Sequence, residues 1–570
     1  MTNVIQNIEN QIEKIVGEAV GKSVAQGELP ELEIPQITVE IPRDKGFGDF
    51  STNIAMQLAK SARKAPRFIS DVIIKNLDLN DTYIEKVECA GAGFINFYLN
   101  NNWLYDTLKA IQLEGQEYGK IELGNGRKVM VEFVSANPTG PLHMGNARGG
   151  ALGDCIANVL TAAGYDVTKE FYVNDAGNQI EKFGISLEAR YIQLLKGEDA
   201  IQFPEDGYHG EDIINHMKEY IAAYGDKLLN TEEKERRRIL VEFALPRNIE
   251  NVKSALQSYG VNHDVWFSEQ SLYDSGELDE TIQILRDKGA TVEKEGALWM
   301  KGSVMGSDKD EVLVRNNGIP TYFAADIAYH RNKFLKRNFD WVIDLWGADH
   351  HGHVARMKGA MAEIGIDPDK LDVVLFQLVR LYRNGEIARM SKRTGRTISL
   401  TDLLEELSVN GNDGKDVARF FFNMKASGSH LDFDLDLAVK QSNENPVFYV
   451  QYAHARICSM LRLMEDEGYK VPEVNTVNMV LLDKKEEIEL IKKLAEFPQE
   501  IKISAQSLEP SRLTRYVLDV AGLFHSFYNA CRVKGEENEL VKARIILVDS
   551  TRTVIRNVLN ILSISAPEKM

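Results

Sequence analysis

The chain has 570 residues, 44% of them hydrophobic and 27% charged, and its 67 Lys and Arg against 85 Asp and Glu leave a net charge of −18. That composition excludes wholesale disorder and collagen-like repeats. It also excludes a protein that coats nucleic acid through bulk charge, while leaving a local basic face open. Cys89, Cys155, Cys458 and Cys531 are far apart with no CxxC pair, which argues against a disulfide framework or a Cys-rich zinc site. No apolar run approaches the ~20 residues that span a bilayer, so a cytoplasmic chain with no membrane association is expected.

In chain order, Val4, Ile5, Ile8, Ile12 and Ile15 predict an amphipathic first helix. IPQITVEIP alternates with period two and predicts a strand. FGDFSTNIAMQLAKSA predicts a helix capped near Ser51 or Thr52, and VECAGAGFINFYL a further strand. Together these make an α+β unit over residues 1–115, followed by a linker rich in Gly and charge. RKVMVEFV is a short apolar run typical of a buried parallel strand. The loop SANPTGPLHMGNARGG, a helix stopped by Gly164, and the strand TKEFYV complete a βαβ unit. A doubly wound, Rossmann-type parallel sheet is therefore expected over residues 122–400. Residues 180–260 read as a charged helical insertion with a solvated face. EVLVR, WVIDLW and DVVLFQLV are strand-like, with helices between them. Residues 401–570 are helical almost throughout and predict an all-α bundle.

Two segments carry phosphate chemistry. Pro141-Leu142-His143-Met144-Gly145-Asn146 lies between a buried strand and a helix N-terminus, where free backbone N–H groups and the helix dipole favour an anion. His143 and Asn146, three apart, face one side of the first turn. Arg389-Met390-Ser391-Lys392-Arg393 forms a basic loop able to clamp a triphosphate. Taken alone, the first is equally an ordinary capped turn and the second a solvated basic loop. Tyr322 and Asp326 are four apart on one predicted helical face. Glu132, Ser135 and Asn137 lie at the carboxyl end of the first sheet strand, where doubly wound folds bind ligands. Asp349, His350, His351 and His353 invite a zinc reading, but adjacent strand-end side chains alternate and do not all point inward. A nucleotide-lining role with Gly347 at close approach is the alternative, and no protein-bound metal is expected. Tyr449, Tyr452 and Arg456 at i, i+3 and i+7 present two aromatics and a guanidinium, suited either to stacking unpaired bases or to a core stripe.

Together the two phosphate segments resemble the paired signatures of class I aminoacyl-tRNA synthetases. VEFVSANPTGPLHMGNARGG, FYVNDAGNQI, TYFAADIAYH, GADHHGHVARMKGA, YVQYAHARI and the terminal SAPEKM resemble, in order, blocks of the arginyl-tRNA synthetase family. Asn146 replaces the last His of the usual HIGH, and Arg389 and Arg393 replace the first and last residues of the usual KMSKS. The resemblance implies activation of L-arginine by ATP with Mg²⁺, transfer to the tRNA for arginine, and a monomer. It implies His143, Asn146 and Lys392 as catalytic, with Pro141, Gly145, Gly347, Asp349, His350, His353, Arg389, Met390 and Ser391 around ATP. Lys128 is a further candidate for a phosphate. It places Ser135 and Asn137 near the substrate ammonium and carboxylate, and Glu132, Tyr322 and Asp326 around its side chain. It turns Tyr449, Tyr452, Ala455, Arg456 and Met570 toward an anticodon, and Phe94 and Asn96 toward a tRNA D-loop. Rival readings are a nucleotidyltransferase acting on a small metabolite, which leaves the C-terminal helices idle, and a tRNA-binding relative without catalysis.

Overall fold

The first apolar stripe folds as its spacing predicts, with Ile8, Ile12, Val16 and Val20 of α1 (Val4–Ala25) buried. The computed structural model describes residues 3–388, 398–409, 411 and 413–570. α1, α2 (Ile54–Ala62), α3 (Pro66–Asn76) and α4 (Asn102–Glu114) accompany an antiparallel sheet of β1 (Val39–Glu40), β2 (Phe50–Thr52), β3 (Ile84–Ala90) and β4 (Phe94–Leu99), in the order β1-β2-β4-β3. IPQITVEIP yields only the two residues of β1, because Pro35 and Pro42 lack ladder donors. Ser51 and Thr52 belong to β2, so the helix cap moves to Asn53. VECAGAGFINFYL is a hairpin rather than one strand. Gly91 (φ +55°) and Gly93 (φ +127°) turn the chain, and a Cβ on Gly93 would lie 2.7 Å from Pro66 Cβ.

The central sheet is built from β5 (Lys128–Glu132), β6 (Asp166–Val173), β7 (Val265–Ser268), β11 (Trp341–Gly347) and β12 (Leu371–Phe376). All four pairings are parallel and the order is β12-β11-β5-β6-β7. The chain starts at the centre and later crosses to the other side, so a topological switch point lies between β5 and β11. α5 (Met144–Ala162) follows β5. The predicted insertion is α6 (Asn178–Lys196), α7 (Glu211–Tyr224) and α8 (Glu233–Ser258), with a small core of its own around Phe183, Met217 and Leu240. α9 (Gln270–Asp274) and α10 (Glu277–Asp287) precede β8 (Thr291–Lys294), β9 (Ala297–Met300) and β10 (Glu311–Val314), which make a separate antiparallel sheet. EVLVR, expected in the main sheet, is therefore β10 of this smaller one. α11 (Tyr322–Arg331) runs into a π-helical turn over Asn332–Lys336, and α12 (His351–Glu363) packs beside α11.

DVVLFQLV divides into β12 and β13 (Val379–Arg383), with Leu378 left exposed between them. β13 pairs with β14 (Glu386–Ile387) and with β15 (Leu431–Asp434), a strand inside the region read as helical almost throughout. The remainder is α13 (Leu400–Leu407), α14 (Gly414–Phe422), α15 (Leu435–Ala438), α16 (Pro446–Asp466), α17 (Lys485–Ala495), α18 (Phe497–Ser507), α19 (Ser511–Ala530) and α20 (Asn538–Ile561). One hydrophobic core runs from α1 through one face of the sheet into this bundle. A buried polar knot joins the parts. Arg419 on α14 donates to Asp154 of α5 and, at 2.9 Å, to the Leu562 carbonyl just past α20. Lys169 of β6 holds the other Asp154 oxygen at 2.6 Å, and Asp416 of α14 accepts from the Ser565 N–H at 3.1 Å. Among the described residues no helix is long and apolar enough to cross a membrane.

Candidate active site

After β5 the backbone turns sharply, with Val134 at φ +72° and Ser135 at φ +39°, conformations that a β-branched residue in particular rarely adopts. The turn is fixed by Ser135 Oγ, which donates to Glu132 Oε1 at 2.8 Å and accepts from the Tyr172 N–H at 3.2 Å. The chain then runs to His143, the N-cap of α5. His143 Nδ1 accepts from the Gly145 N–H at 3.2 Å, and Asn146 Oδ1 accepts from the His143 N–H at 3.2 Å. This reciprocal box satisfies two helix-terminal donors and fixes the imidazole tautomer. Burial lowers the His143 pKa, so the ring is neutral with its proton on Nε2, free to donate to a phosphate oxygen.

The basic residues Arg389, Met390, Ser391, Lys392 and Arg393 lie outside the described residues. Their flanks are described. Ala388 N–H donates to the Leu381 carbonyl at 2.8 Å, and Leu400 N–H donates to the Leu142 carbonyl at 2.9 Å beside a bridge between Ser399 and His143. The far end of that segment is thus fastened to the first signature.

A cavity of about 920 Å³ opens at the switch point. It is lined by Glu132, Ser135, His143, Gly145, Asn146, Tyr322, Asp326, Gly347, Asp349, His350 and His353 together. Pro141 and Asn137 sit exposed on the loop and do not line the cavity. Lys128 is at the opposite end of β5, four residues or about 13 Å from Glu132. As a phosphate ligand it is a misreading, because parallel strands deliver ligands' partners at their carboxyl ends. Asp326 Oδ2 lies 3.3 Å from His353 Nε2, joining the two halves of the cavity. His350 and Asp349 are largely exposed, whereas His353 turns inward against Phe323 and Trp346. At Gly347 a Cβ would meet Asp349 Oδ1 at 2.4 Å.

Beneath the cavity, strand register places Asp344, Glu132 and Glu170 side by side on β11, β5 and β6. Three neighbouring carboxylates require cations. Lys333, with no exposed surface, donates to Glu132 Oε2 at 2.6 Å and Asp344 Oδ1 at 2.8 Å. Arg337 pairs with Glu170 and Tyr329 donates to it. His330 Nε2 contacts Asp344 Oδ2 at 2.9 Å, while its Nδ1 contacts the Asp326 carbonyl at 2.7 Å. Burial raises the Glu132 carboxyl, an effect that Lys333 opposes. Burial pushes Asp344 upward too, but Lys333 and His330 outweigh it and hold that carboxyl down to about 2.

Sequence reading missed Lys333, Asp344, His330 and Glu269. Glu269 follows β7 and is almost wholly buried beside Tyr172 and Tyr273, and among the described residues its Oε2 has no close hydrogen-bond partner. Burial first, then the charges of Asp326 and Asp175, raise its pKa to about 8. Its position just past the carboxyl end of a sheet strand was the available signal.

On α16, Arg456 stacks over Tyr452 at 4.8 Å and over Tyr528 at 4.7 Å, and donates to the Tyr452 hydroxyl at 3.0 Å. Tyr449 packs on His525 at 4.9 Å. Tyr528 joins this face, while Phe524 is core. Ala455 is buried and Met570 exposed. In the N-terminal unit Phe94 is exposed, but Asn96 is 3% exposed between Ser51 and Glu88, so it offers no surface for a direct D-loop contact.

The chain matches family models for the arginyl tRNA synthetase N-terminal domain over residues 3–99, the class I (R) tRNA synthetase catalytic domain over 107–413 and the DALR anticodon binding domain over 450–570. It is 71% identical over 570 residues to an arginine–tRNA ligase of Ruminiclostridium cellulolyticum and to another of Acetivibrio thermocellus, covering all of each chain. A solved arginyl-tRNA synthetase of Thermus thermophilus shares the fold at 21% identity, with a TM-score of 0.73 over 99% of this chain and 100% of that one. With the signature-bearing parallel sheet, the acidic pocket at its switch point and full-length relatives of this identity, the chain belongs to the class I arginyl-tRNA synthetase family.

Proposed function

We propose that the switch-point cavity joins L-arginine to ATP and then passes the arginyl group to the terminal adenosine of its tRNA. In the first step an arginine carboxylate oxygen attacks the α-phosphorus and the bond to pyrophosphate breaks, leaving arginyl-adenylate. In the second a ribose hydroxyl of the tRNA attacks the adenylate carbonyl, and AMP leaves. No covalent enzyme intermediate is needed, since positioning and charge stabilisation supply the catalysis. His143 donates from Nε2 to a phosphate oxygen. Asn146 holds the capping box, and Gly145 lets the nucleotide approach the backbone. Lys392, with Arg389, Met390 and Ser391, meets the triphosphate of the ATP–Mg²⁺ substrate. Gly347, Asp349, His350 and His353 flank the nucleoside. Ser135 receives the amino-acid ammonium. Asp326, Tyr322 and Glu132 receive the side chain. Tyr449, Tyr452, Arg456 and Met570 meet unpaired anticodon bases, with Phe94 toward the D-loop. The protein works as a cytoplasmic monomer.

The observation that carries this reading is one cavity with a histidine-capped helix terminus on one wall and Asp326 on the other. Arginine-dependent ATP–pyrophosphate exchange, run with and without tRNA for arginine, is the test. Exchange is expected in the wild type with tRNA present, and His143→Ala is expected to slow it about 100-fold, the scale of losing one charge-stabilising donor. Exchange without arginine, or with another amino acid in its place, would overturn the reading.

Glu269 does not line the cavity but is coupled by charge to Asp326, and it is expected to make arginine binding depend on pH. With its pKa at about 8, the carboxyl is mostly protonated at pH 7. A bound guanidinium favours the carboxylate, so binding below pH 8 releases a proton and tightens as pH rises. The Km for arginine is expected to fall from pH 6.5 to 8, by at most about tenfold per pH unit, and to level off above. Glu269→Gln flattens the profile; a wild-type Km that does not change with pH rejects the coupling.

A further inference from the structure

We propose that Asn248, on the insertion helix α8, is a positioning residue for ATP, acting through the loop that carries His143. The proposal rests on the reading of that loop as the ATP site. α8 belongs to two cores. Leu240 and Ala244 pack in the insertion, whereas Val252 and Leu256 pack in the main core. Between them lies Pro246, which has no N–H to donate along the helix. Two residues on, Asn248 is 3% exposed, and its side chain leaves the helix to bond in two directions. Nδ2 donates to the Pro138 carbonyl at 3.1 Å, and Oδ1 faces His216 Nε2 of α7 at 2.7 Å. An amide oxygen only accepts, so the His216 proton is on Nε2. Together the two bonds fix which way the amide points.

Pro138 is buried five residues before His143, in a stretch whose prolines at 138 and 141 contribute no donors of their own. Two ties from outside grip its backbone: Leu400 N–H on the Leu142 carbonyl, and Asn248 on the Pro138 carbonyl. Asn248 touches neither cavity wall, yet it sets where the loop begins its approach to His143. The insertion thus reaches the nucleotide end of the site through the Pro138 carbonyl.

The experiment compares Asn248→Ala, His216→Leu and His216→Gln with the full-length wild type and His143→Ala in the exchange assay with tRNA present. Asn248→Ala is expected to raise the Km for ATP and lower kcat, together roughly tenfold or more, with the Km for arginine within about twofold. His216→Leu should show the same split more weakly. His216→Gln keeps an N–H for Asn248 Oδ1 and should recover most of the wild-type ATP Km. Equal losses for ATP and arginine, or no loss in a folded Asn248→Ala protein, would overturn the proposal. If Asn248→Ala does not fold, the contrast between His216→Leu and His216→Gln decides it: identical ATP constants for the two reject it. Unchanged exchange in His143→Ala would instead reject the ATP reading of the loop.

Discussion

Asp326→Ala is expected to raise the Km for arginine about 1,000-fold, with the Km for ATP staying within a few-fold of wild type. Asp326 lies one helical turn from Tyr322 on the cavity-facing side of α11, and its carboxylate contacts His353 across the cavity. An arginine guanidinium entering the pocket leaves water and needs a carboxylate in exchange. Truncating one member of such a pair costs ~4 kcal/mol, and each 1.4 kcal/mol is about tenfold in affinity. The measurement is exchange as a function of arginine concentration, with binding of labelled arginine as a second readout. Asp326→Asn keeps the shape and loses the charge, so it should recover little. Arginine affinity preserved in either variant would place the guanidinium elsewhere.

Lys333→Met is expected to destabilise the protein by about 3–5 kcal/mol, because it leaves Glu132 and Asp344 buried without their shared cation. Denaturant unfolding of both proteins measures the difference. The pH dependence has a definite sign. Asp344 is held down to about 2 in the fold against 3.8 otherwise, so its pairing contributes stability above pH 4 that is lost as pH falls toward 2. The gap between wild type and Lys333→Met therefore narrows on acidification from pH 5 to pH 2. Adding Asp344→Asn to Lys333→Met should recover part of the loss at neutral pH. A gap that widens in acid would contradict the pairing.

What was legible in the chain was what local spacing encodes. Tyr322 and Asp326 stand four apart on one helix, and both line the cavity. His143 and Asn146 stand three apart and close a capping box. Strand, loop and helix from Lys128 to Ala162 follow from an apolar run, two prolines and a glycine stop. Lys333, Asp344 and Glu269 were not legible, because their meaning comes from register between strands far apart in sequence. Nothing near Glu132 announces that Asp344 and Glu170 will be its neighbours in the sheet. Lys333 also depends on a π-helical turn at the end of α11, which a 3.6-residue period does not foresee. Asn96 shows the opposite failure. The family resemblance turned it toward a tRNA D-loop, but β4 is flanked by β2 and β3, and the side chain is enclosed. In the hairpin of β3 and β4, two glycines with positive φ decided the path, and glycine count alone did not reveal it.

The buried knot past α20 bears on how this architecture can change over evolutionary time. Turns that follow a last long helix ordinarily absorb insertions and deletions at little cost. Here the Leu562 carbonyl is bound by Arg419, whose other nitrogen holds Asp154 on the helix that begins at His143. A residue gained or lost between Ile561 and Ser565 would withdraw that carbonyl and leave a fully enclosed guanidinium short of an acceptor, beside the helix that begins at His143. Length variation in the family should therefore collect in the outer loops of the bundle, and this short stretch should keep its length even where its side chains drift.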